Sequence, residues 1–197
     1  LRRRTILAGI RGARTRLLLS IFRCDDRVVL QALGDAAARG VLVQVLMTPR
    51  ARAAAQELDA AQAWLAAQGV DVRRFQGGMK YHAKYLVADE QLALVMTLNL
   101  TARCFERTCD FMLVTRDAAV VSGVSELFAA DTDFRAPRFT VEQRERLIVG
   151  PDHQPRERFA ALVRAARQSI RIVDAKLADA HFVSILEARR REGVTVD

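Results

Sequence analysis

Lysine is scarce in this chain. Its 197 residues carry Lys only at positions 80, 84 and 176, so Arg supplies nearly all of the net charge of +8. The Arg residues are scattered along helical stretches, and no aromatic ladder interleaves them, which argues against an extended nucleic-acid-binding surface. The basic balance still suits an anionic partner, acidic lipid headgroups included. Cysteine is also sparse. Cys24, Cys104 and Cys109 are odd in number and lack C-x-x-C spacing. Neither a disulfide framework nor a zinc site is expected, no metal or other cofactor is called for, and a reducing cytosol is the default compartment. Long apolar runs are missing too: none approaches the ~20 residues that cross a bilayer. Arg2, Arg3 and Arg4 precede a short apolar stretch, but Arg11 and Arg14 interrupt it, so no signal peptide is read. The first residue is Leu1, and the true start is expected upstream. A cytoplasmic location, or a peripheral one on the inner membrane face, follows as the expectation.

What is present is an alternation of strand and helix. Apolar runs at 16–22, 41–47 and 70–75 read as buried strands. Between them, 28–39 and 51–68 carry apolar residues at helical spacing and end at Gly40 and Gly69, the usual stop after a helix. Residues 81–98 read as a strand, a short turn at Asp89-Glu90-Gln91, and a second strand from 92. A further strand is expected at 111–115, and Asp117 can cap a helix running to about Ala130. This pattern predicts an α/β fold with a mixed, mostly parallel sheet flanked by helices.

The start of the chain then repeats. A shift of 153 positions aligns Ile6–Gln44 with Phe159–Asp197 without a gap. Ala8, Arg11, Asp26, Leu33, Gly40 and Val41 meet identical residues at Ala161, Arg164, Asp179, Leu186, Gly193 and Val194. The expected organisation is one full unit over 1–134, a linker over 135–145, and the first βαβ part of a second unit over 146–197.

The chemistry concentrates in 81–99, YHAKYLVADEQLALVMTLN. His82, Lys84 and Asp89 are spaced H-x-K-x(4)-D. On a strand His82 and Lys84 share a face. A neutral imidazole can attack phosphorus and carry a phosphoryl group, and a neighbouring ammonium can neutralise the charge that grows on the nonbridging oxygens. Asp89 lies too far along for that face and suits orienting a residue or anchoring the turn. Thr97 and Asn99, again two apart, can donate to phosphate. An acidic residue could fix the tautomer of His82; Asp110 is the first candidate and Glu106 the second.

These residues resemble the signature of the phospholipase D superfamily, H-x-K-x(4)-D followed by G-[ST]-x-N, with His82, Lys84, Asp89, Thr97 and Asn99 in place. The wording YHAKYLVAD…LNLTARCFERTCDF is especially similar to the bacterial cardiolipin synthase-like branch. Asp110 falls eleven positions past Asn99, where family members carry an acidic residue that helps orient the histidine. Met96 departs from the pattern, standing where Gly is usual; strand alternation turns it away from Thr97. The resemblance implies a metal-independent mechanism through a covalent phosphohistidine. A second histidine, from a second motif, protonates the leaving alcohol. His153 and His181 have no Lys two residues later, so the second motif is expected from a missing C-terminal part or a partner chain. Which of the two histidines attacks stays open, so His82 is either nucleophile or acid. The implied substrate is a phospholipid at a peripheral membrane surface, cleaved by hydrolysis or phosphatidyl transfer. The alternatives are a dimeric nuclease of the same superfamily, with nucleic acid the less favoured partner, and an inactive truncated remnant.

Overall fold

The computed structural model describes residues 1–49, 55–150, 155–174 and 176–197. Positions 51–54 of the expected second helix, and His153, lie outside the described residues. The chain forms two compact units, Leu1–Arg146 and Leu147–Asp197.

In the first unit, helix α1 (Arg2–Gly12) leads into strand β1 (Arg16–Ile21), helix α2 (Arg27–Ala38) and strand β2 (Leu42–Met47). Helix α3 (Ala55–Ala67) and strand β3 (Asp71–Arg74) follow, then the hairpin of β4 (Tyr85–Ala88) and β5 (Leu92–Met96). Helix α4 (Ala102–Glu106), strand β6 (Met112–Thr115), helix α5 (Ala118–Thr132) and helix α6 (Val141–Arg146) complete it. One sheet runs in the order β3-β2-β1-β4-β5-β6. Its β3-β2-β1 part is parallel, and β4, β5 and β6 add antiparallel pairings. The mixed α/β architecture is the one expected. Its parallel character stops at β1 because the motif hairpin enters alongside β1 in the opposite direction, pairing Tyr85 with Ser20 and Ala88 with Leu17.

Helix ends follow local chemistry. Asp26 caps α2 by accepting from the Val29 N–H at 3.1 Å, and Arg3 donates to its other oxygen at 2.7 Å. Gly40 closes the helix at φ +86°, a conformation side chains rarely adopt. The core lies on both faces of the sheet. On one, Leu17, Leu19, Ile21, Leu86 and Leu94 pack with Ile6 and Ile10 of α1 and Leu33 of α2. Gly9 allows this approach: a Cβ there would stand 3.2 Å from Leu94. On the other, alternation turns Leu18, Ser20, Tyr85 and Val87 toward α5, whose Val121, Val124 and Phe128 are buried. Each fully buried leucine contributes roughly 1.5–3 kcal/mol.

Two segments differ from the sequence-based expectation. Residues 81–84 precede β4 instead of forming its start, although the Met96 N–H still donates to the Lys84 carbonyl at 2.9 Å. The stretch 135–145 carries most of α6, which is tied to α5 through Gln143 donating to Ser122 and an Arg146–Asp117 ion pair, both at 2.9 Å. It is therefore part of the first compact unit.

The second unit holds helix α7 (Pro155–Ala165), strand β7 (Ser169–Ile170), helix α8 (Ala180–Arg191) and strand β8 (Thr195–Val196), with β7 and β8 parallel. Ala160, Val163, Ile185 and Leu186 form its small core.

Candidate active site

Antiparallel entry of the hairpin brings several chain ends to one edge of the sheet. The carboxyl ends of β1, β2 and β3 meet the start of β4, the end of β5 and the start of β6 there. Crevices outside the carboxyl ends of strands, where strand order reverses, are common ligand sites in open α/β sheets.

Phe22 follows β1 at this edge. The His82 ring lies against it, centroids 4.8 Å apart and tilted by 59°. Lys84 is almost wholly buried, yet its ammonium reaches the same place. Nζ donates to the His82 carbonyl at 2.9 Å and sits 3.1 Å from Nδ1 and 3.3 Å from Nε2 of the His82 ring. It also stands 5.5 Å from the Phe22 ring centroid, a cation–π contact. Burial lowers the pKa of His82, and the charges of Lys84 and Lys80 lower it further. Burial brings Lys84 down to about 8, against the opposing pull of Asp110 and Cys104, with Lys80 adding to the depression. Near neutral pH the pair is therefore a neutral imidazole beside an ammonium that is close to releasing its proton.

Asp110 faces Lys84 electrostatically but spends its hydrogen bonds elsewhere. Thr97 donates to one carboxylate oxygen at 2.8 Å, and Thr108 donates to the other. The Thr97 hydroxyl also accepts from the Phe111 N–H at 2.9 Å. Among the described residues no hydrogen bond joins Asp110 to His82. Arg2 fastens the loop that carries Asp110, donating to the carbonyls of Cys104 at 3.0 Å and Thr108 at 2.6 Å. Asn99 leaves its Oδ1 buried without a hydrogen-bond partner. An acceptor in that state costs about 1–3 kcal/mol, which a donor on a ligand would relieve. Met96 is buried in the core beside Leu98, so it does not fill the pocket.

Asp89 lies away from the face of the histidine, as its spacing suggests, and Glu106, a candidate to orient the ring, lies elsewhere too. Asp89 stands at the far end of β4, five residues from Lys84, roughly 16 Å at ~3.3 Å per residue. Its carboxylate accepts from the backbone N–H groups of Arg14, Thr15 and Arg16 at 2.9, 2.8 and 3.0 Å, and from the Thr15 hydroxyl at 2.9 Å. Desolvation opposes its charge, but those bonds outweigh it and hold the pKa down at about 2. Asp89 thus clasps the α1–β1 junction. The strand between it and Lys84 prevents a shared site. Glu106 is exposed at the end of α4 and faces Arg3 at 3.9 Å, because its helix turns it away from the sheet edge.

The structure also recruits residues that the motif did not reveal. Phe22 had no signal beyond closing an apolar strand. Tyr81, next to His82, is a buried strut: its hydroxyl lies 2.6 Å from the Ser20 hydroxyl and donates to Asp131 of α5 at 2.9 Å. Phe75 stacks on it at 4.4 Å. A cavity of about 930 Å³ opens beside Phe22, walled by the loop from Phe75 to Tyr81. Among the described residues no group of three His, Cys, Asp or Glu side chains is placed to hold a metal ion.

The chain is similar to known proteins to different extents. The family described as cardiolipin synthase, PLD-like domain, matches residues 6–132. Cardiolipin synthase A of Pseudomonas entomophila (strain L48) is 31% identical over 141 residues, which cover 69% of this chain and 29% of that protein. The chain thus spans less than a third of the length of this curated relative. Among solved structures, a phospholipase D family member, Nuc from Salmonella typhimurium, superposes with a TM-score of 0.62 at 18% identity, covering 70% of this chain and 91% of Nuc. Polyphosphate kinase from Porphyromonas gingivalis superposes with a TM-score of 0.71 at 22% identity, covering 98% of this chain and 34% of the kinase. At these identities the two structures speak for the fold.

Proposed function

The chain belongs to the cardiolipin synthase, PLD-like domain family, and from that premise we propose that it cleaves or transfers phosphodiesters of phospholipids through His82. The observation that carries the reading is the pairing of a neutral His82 ring with the buried Lys84 ammonium on the Phe22 ring. An arriving phosphodiester replaces the ring as the partner of Lys84. The ammonium then donates to a nonbridging oxygen, and a ring nitrogen is freed. Attack forms a nitrogen–phosphorus bond and breaks one phosphorus–oxygen ester bond. The departing alkoxide takes a proton from a second histidine. Water or an alcohol next attacks the phosphoryl group, giving hydrolysis or transfer and restoring His82. Asp110, held by Thr97 and Thr108, supports the charge of Lys84, and Asn99 offers its amide to the phosphate. If the leaving group departs on the other side, His82 is the acid instead. On this reading Asp89 serves the site only by fixing the end of β4.

The second histidine comes from a second motif, in a continuation of the chain or in a partner copy. Residues 147–197 are the beginning of that second domain. Identity with cardiolipin synthase A favours the lipid substrate and a peripheral place at the inner membrane face. No described helix is long and apolar enough to cross a membrane. A second reading, a nuclease working as a dimer, is favoured by the match to 91% of the Nuc chain, since a fold of that size then needs only a second copy of its motif.

The deciding assay offers phosphatidylglycerol vesicles and single-stranded DNA to the protein in parallel. Headgroup release or phosphatidyl transfer, with an acid-labile phosphoryl adduct on His82, supports the lipid reading. Turnover of DNA alone overturns it in favour of the second.

A further inference from the structure

The segment that carries Asp110 has little of its own to hold it in place. Helix α4 buries none of its five residues. Residues 107–111 lie outside any helix or strand, with Arg107, Cys109 and Phe111 exposed. Its contacts with the core are made by Cys104 and Phe105, both half-buried. A segment with so few buried contacts opens locally unless polar ties fix it.

The ties come from the start of α1, a helix anchored by the buried Ile6 and Ile10. One nitrogen of Arg2, Nη1, donates to both the Cys104 carbonyl at 3.0 Å and the Thr108 carbonyl at 2.6 Å. It thereby joins α4 to the residues that follow it. Arg3 lies over the Phe105 ring, 4.8 Å from its centroid, and so grips α4 alone. The Thr108 hydroxyl lies 3.2 Å from the Cys104 carbonyl and donates to the Asp110 carboxylate. Arg4, next along the helix, is exposed and has no hydrogen-bond or ion-pair partner among the described residues. The charges that face Lys84 are Asp110 and Cys104 of this segment, which favour its proton, and Lys80, which opposes it; the His82 ring lies 3.1 Å away.

We propose that Arg2 is a positioning residue of the site: by bridging the Cys104 and Thr108 carbonyls it holds Asp110 where its carboxylate supports the Lys84 ammonium. For its effect on turnover the inference rests on the phosphodiester reading of His82 and Lys84. It adds a residue that lies outside their motif, at the other end of the first unit's chain. Loss of Arg2 has two electrical consequences of opposite sign. Removing a cation favours a nearby ammonium, whereas letting Asp110 drift away disfavours it. The second wins, because Asp110 is the strongest charge acting on Lys84 and Arg2 is not among the groups that act on it directly.

The scarcity of lysine makes the test direct. Lysine-selective carbon-13 labelling gives ε-methylene signals from Lys80, Lys84 and Lys176 alone, and Lys84→Arg identifies the signal of interest. In the wild-type chain Lys84 should titrate near 8. Asp110→Asn should lower that midpoint by about one pH unit, and Arg2→Met by about half a unit. In the Asp110→Asn background Arg2→Met should add nothing, since both act through one carboxylate. Arg4→Met removes the same charge two positions along and should leave the midpoint where it is. Arg2→Lys keeps the charge on a stem that ends short of the carbonyls; it should also lower the midpoint, and it carries the test if Arg2→Met does not fold. A midpoint unmoved or raised by loss of the Arg2 bridge overturns the proposal. So does a shift shared with Arg4→Met, or one that persists undiminished beside Asp110→Asn. In turnover, the alkaline limb of kcat/KM should follow the titration midpoint from variant to variant. Because the titration needs no substrate, the expected shifts without turnover leave Arg2 in its role and remove only the catalytic reading.

Discussion

The two ends of the chain are built to one local plan and end in different states. Helix α1 spans Arg2–Gly12 and α7 spans Pro155–Ala165, the same bounds at the shift of 153; α2 at Arg27–Ala38 and α8 at Ala180–Arg191 repeat the coincidence. Asp26 and Asp179 cap their helices identically, accepting from N–H groups at 3.1 and 2.9 Å. Gly40 and Gly193 close them at φ +86° and +88°. Even the crossing bonds recur, Leu42 to Thr15 at 2.9 Å and Thr195 to Gln168 at 3.0 Å. Burial recurs only in part: Ile10, Leu33 and Val41 meet the likewise buried Val163, Leu186 and Val194, but other positions do not match. Ile6 is fully buried, whereas Phe159 at the matching place is 48% exposed; Gly9 nests against the hairpin, whereas Leu162 is 64% exposed. The difference is the β4–β5 hairpin, which covers α1 and has no counterpart among the described residues of the second unit. Capping and helix length are local properties; a buried face requires a partner.

The comparison breaks most sharply at the histidines. His82 lies between Phe22 and Lys84, while His181 sits exposed on α8 with Arg164 3.4 Å from its ring. His82→Asn is expected to lower phosphodiester turnover by more than about a thousandfold, the loss typical of a missing nucleophile or acid. His181→Asn should leave the rate unchanged; equal losses would refute the assignment. Lysine gives the next largest effect. Above the depressed pKa of Lys84, about 8, kcat/KM should fall roughly tenfold per pH unit, with the acid limb below the ordinary histidine range. Lys84→Arg, charged at all accessible pH, should remove the alkaline limb. Stability moves the other way: between about 8 and 10.5 the unfolded chain holds a proton that the folded chain has lost, so this lysine makes the fold more stable as pH rises through that window.

Packing sharpens the contrast further. Leu19→Ala, at a fully buried position of β1, should cost about 3 kcal/mol in urea unfolding, and Ile172→Ala at the matching half-buried position about 1 kcal/mol. Asp89→Ala should cost about 2 kcal/mol by releasing the α1–β1 clasp, without shifting either limb of the pH–rate profile; a moved limb would return Asp89 to the catalytic set. The caps close the comparison, and the exposed one gives its smallest effect. Asp26→Ala should cost about 1.5 kcal/mol, because a part-buried ion pair with Arg3 goes with the cap, and Asp179→Ala at an exposed cap should cost less. Equal costs would show that tertiary surroundings add nothing to a cap.

Much of the site was legible from spacing. His82, Lys84, Thr97, Asn99 and Asp110 all converge on one sheet edge, as alternation and hairpin reversal require. Glu106 misled, and the partners of Asp89 stayed hidden, because a motif records which residues occur together and not what each one holds. Asp89 answers to backbone N–H groups seventy residues upstream, a long-range relation without any local trace. Phe22, Tyr81 and Lys80 were missed for the same reason. An aromatic after an apolar strand and a lysine before a motif are ordinary until the sheet sets them around one cavity.

The sequence by itself determined most of the helices and their ends, the glycine stops, the alternation of strands and helices, the internal repeat and the residue types gathered at the candidate site. These depend on contacts within a few residues, where side-chain period, capping groups and backbone freedom act directly. Tertiary structure alone decided that the hairpin runs antiparallel to β1, that Lys84 is buried against His82, that Asp89 is a clasp, and that of two like-built helices only α1 is also covered by the hairpin. Each of these depends on which distant strand supplies the neighbour, and burial, desolvation and charge are properties of neighbours.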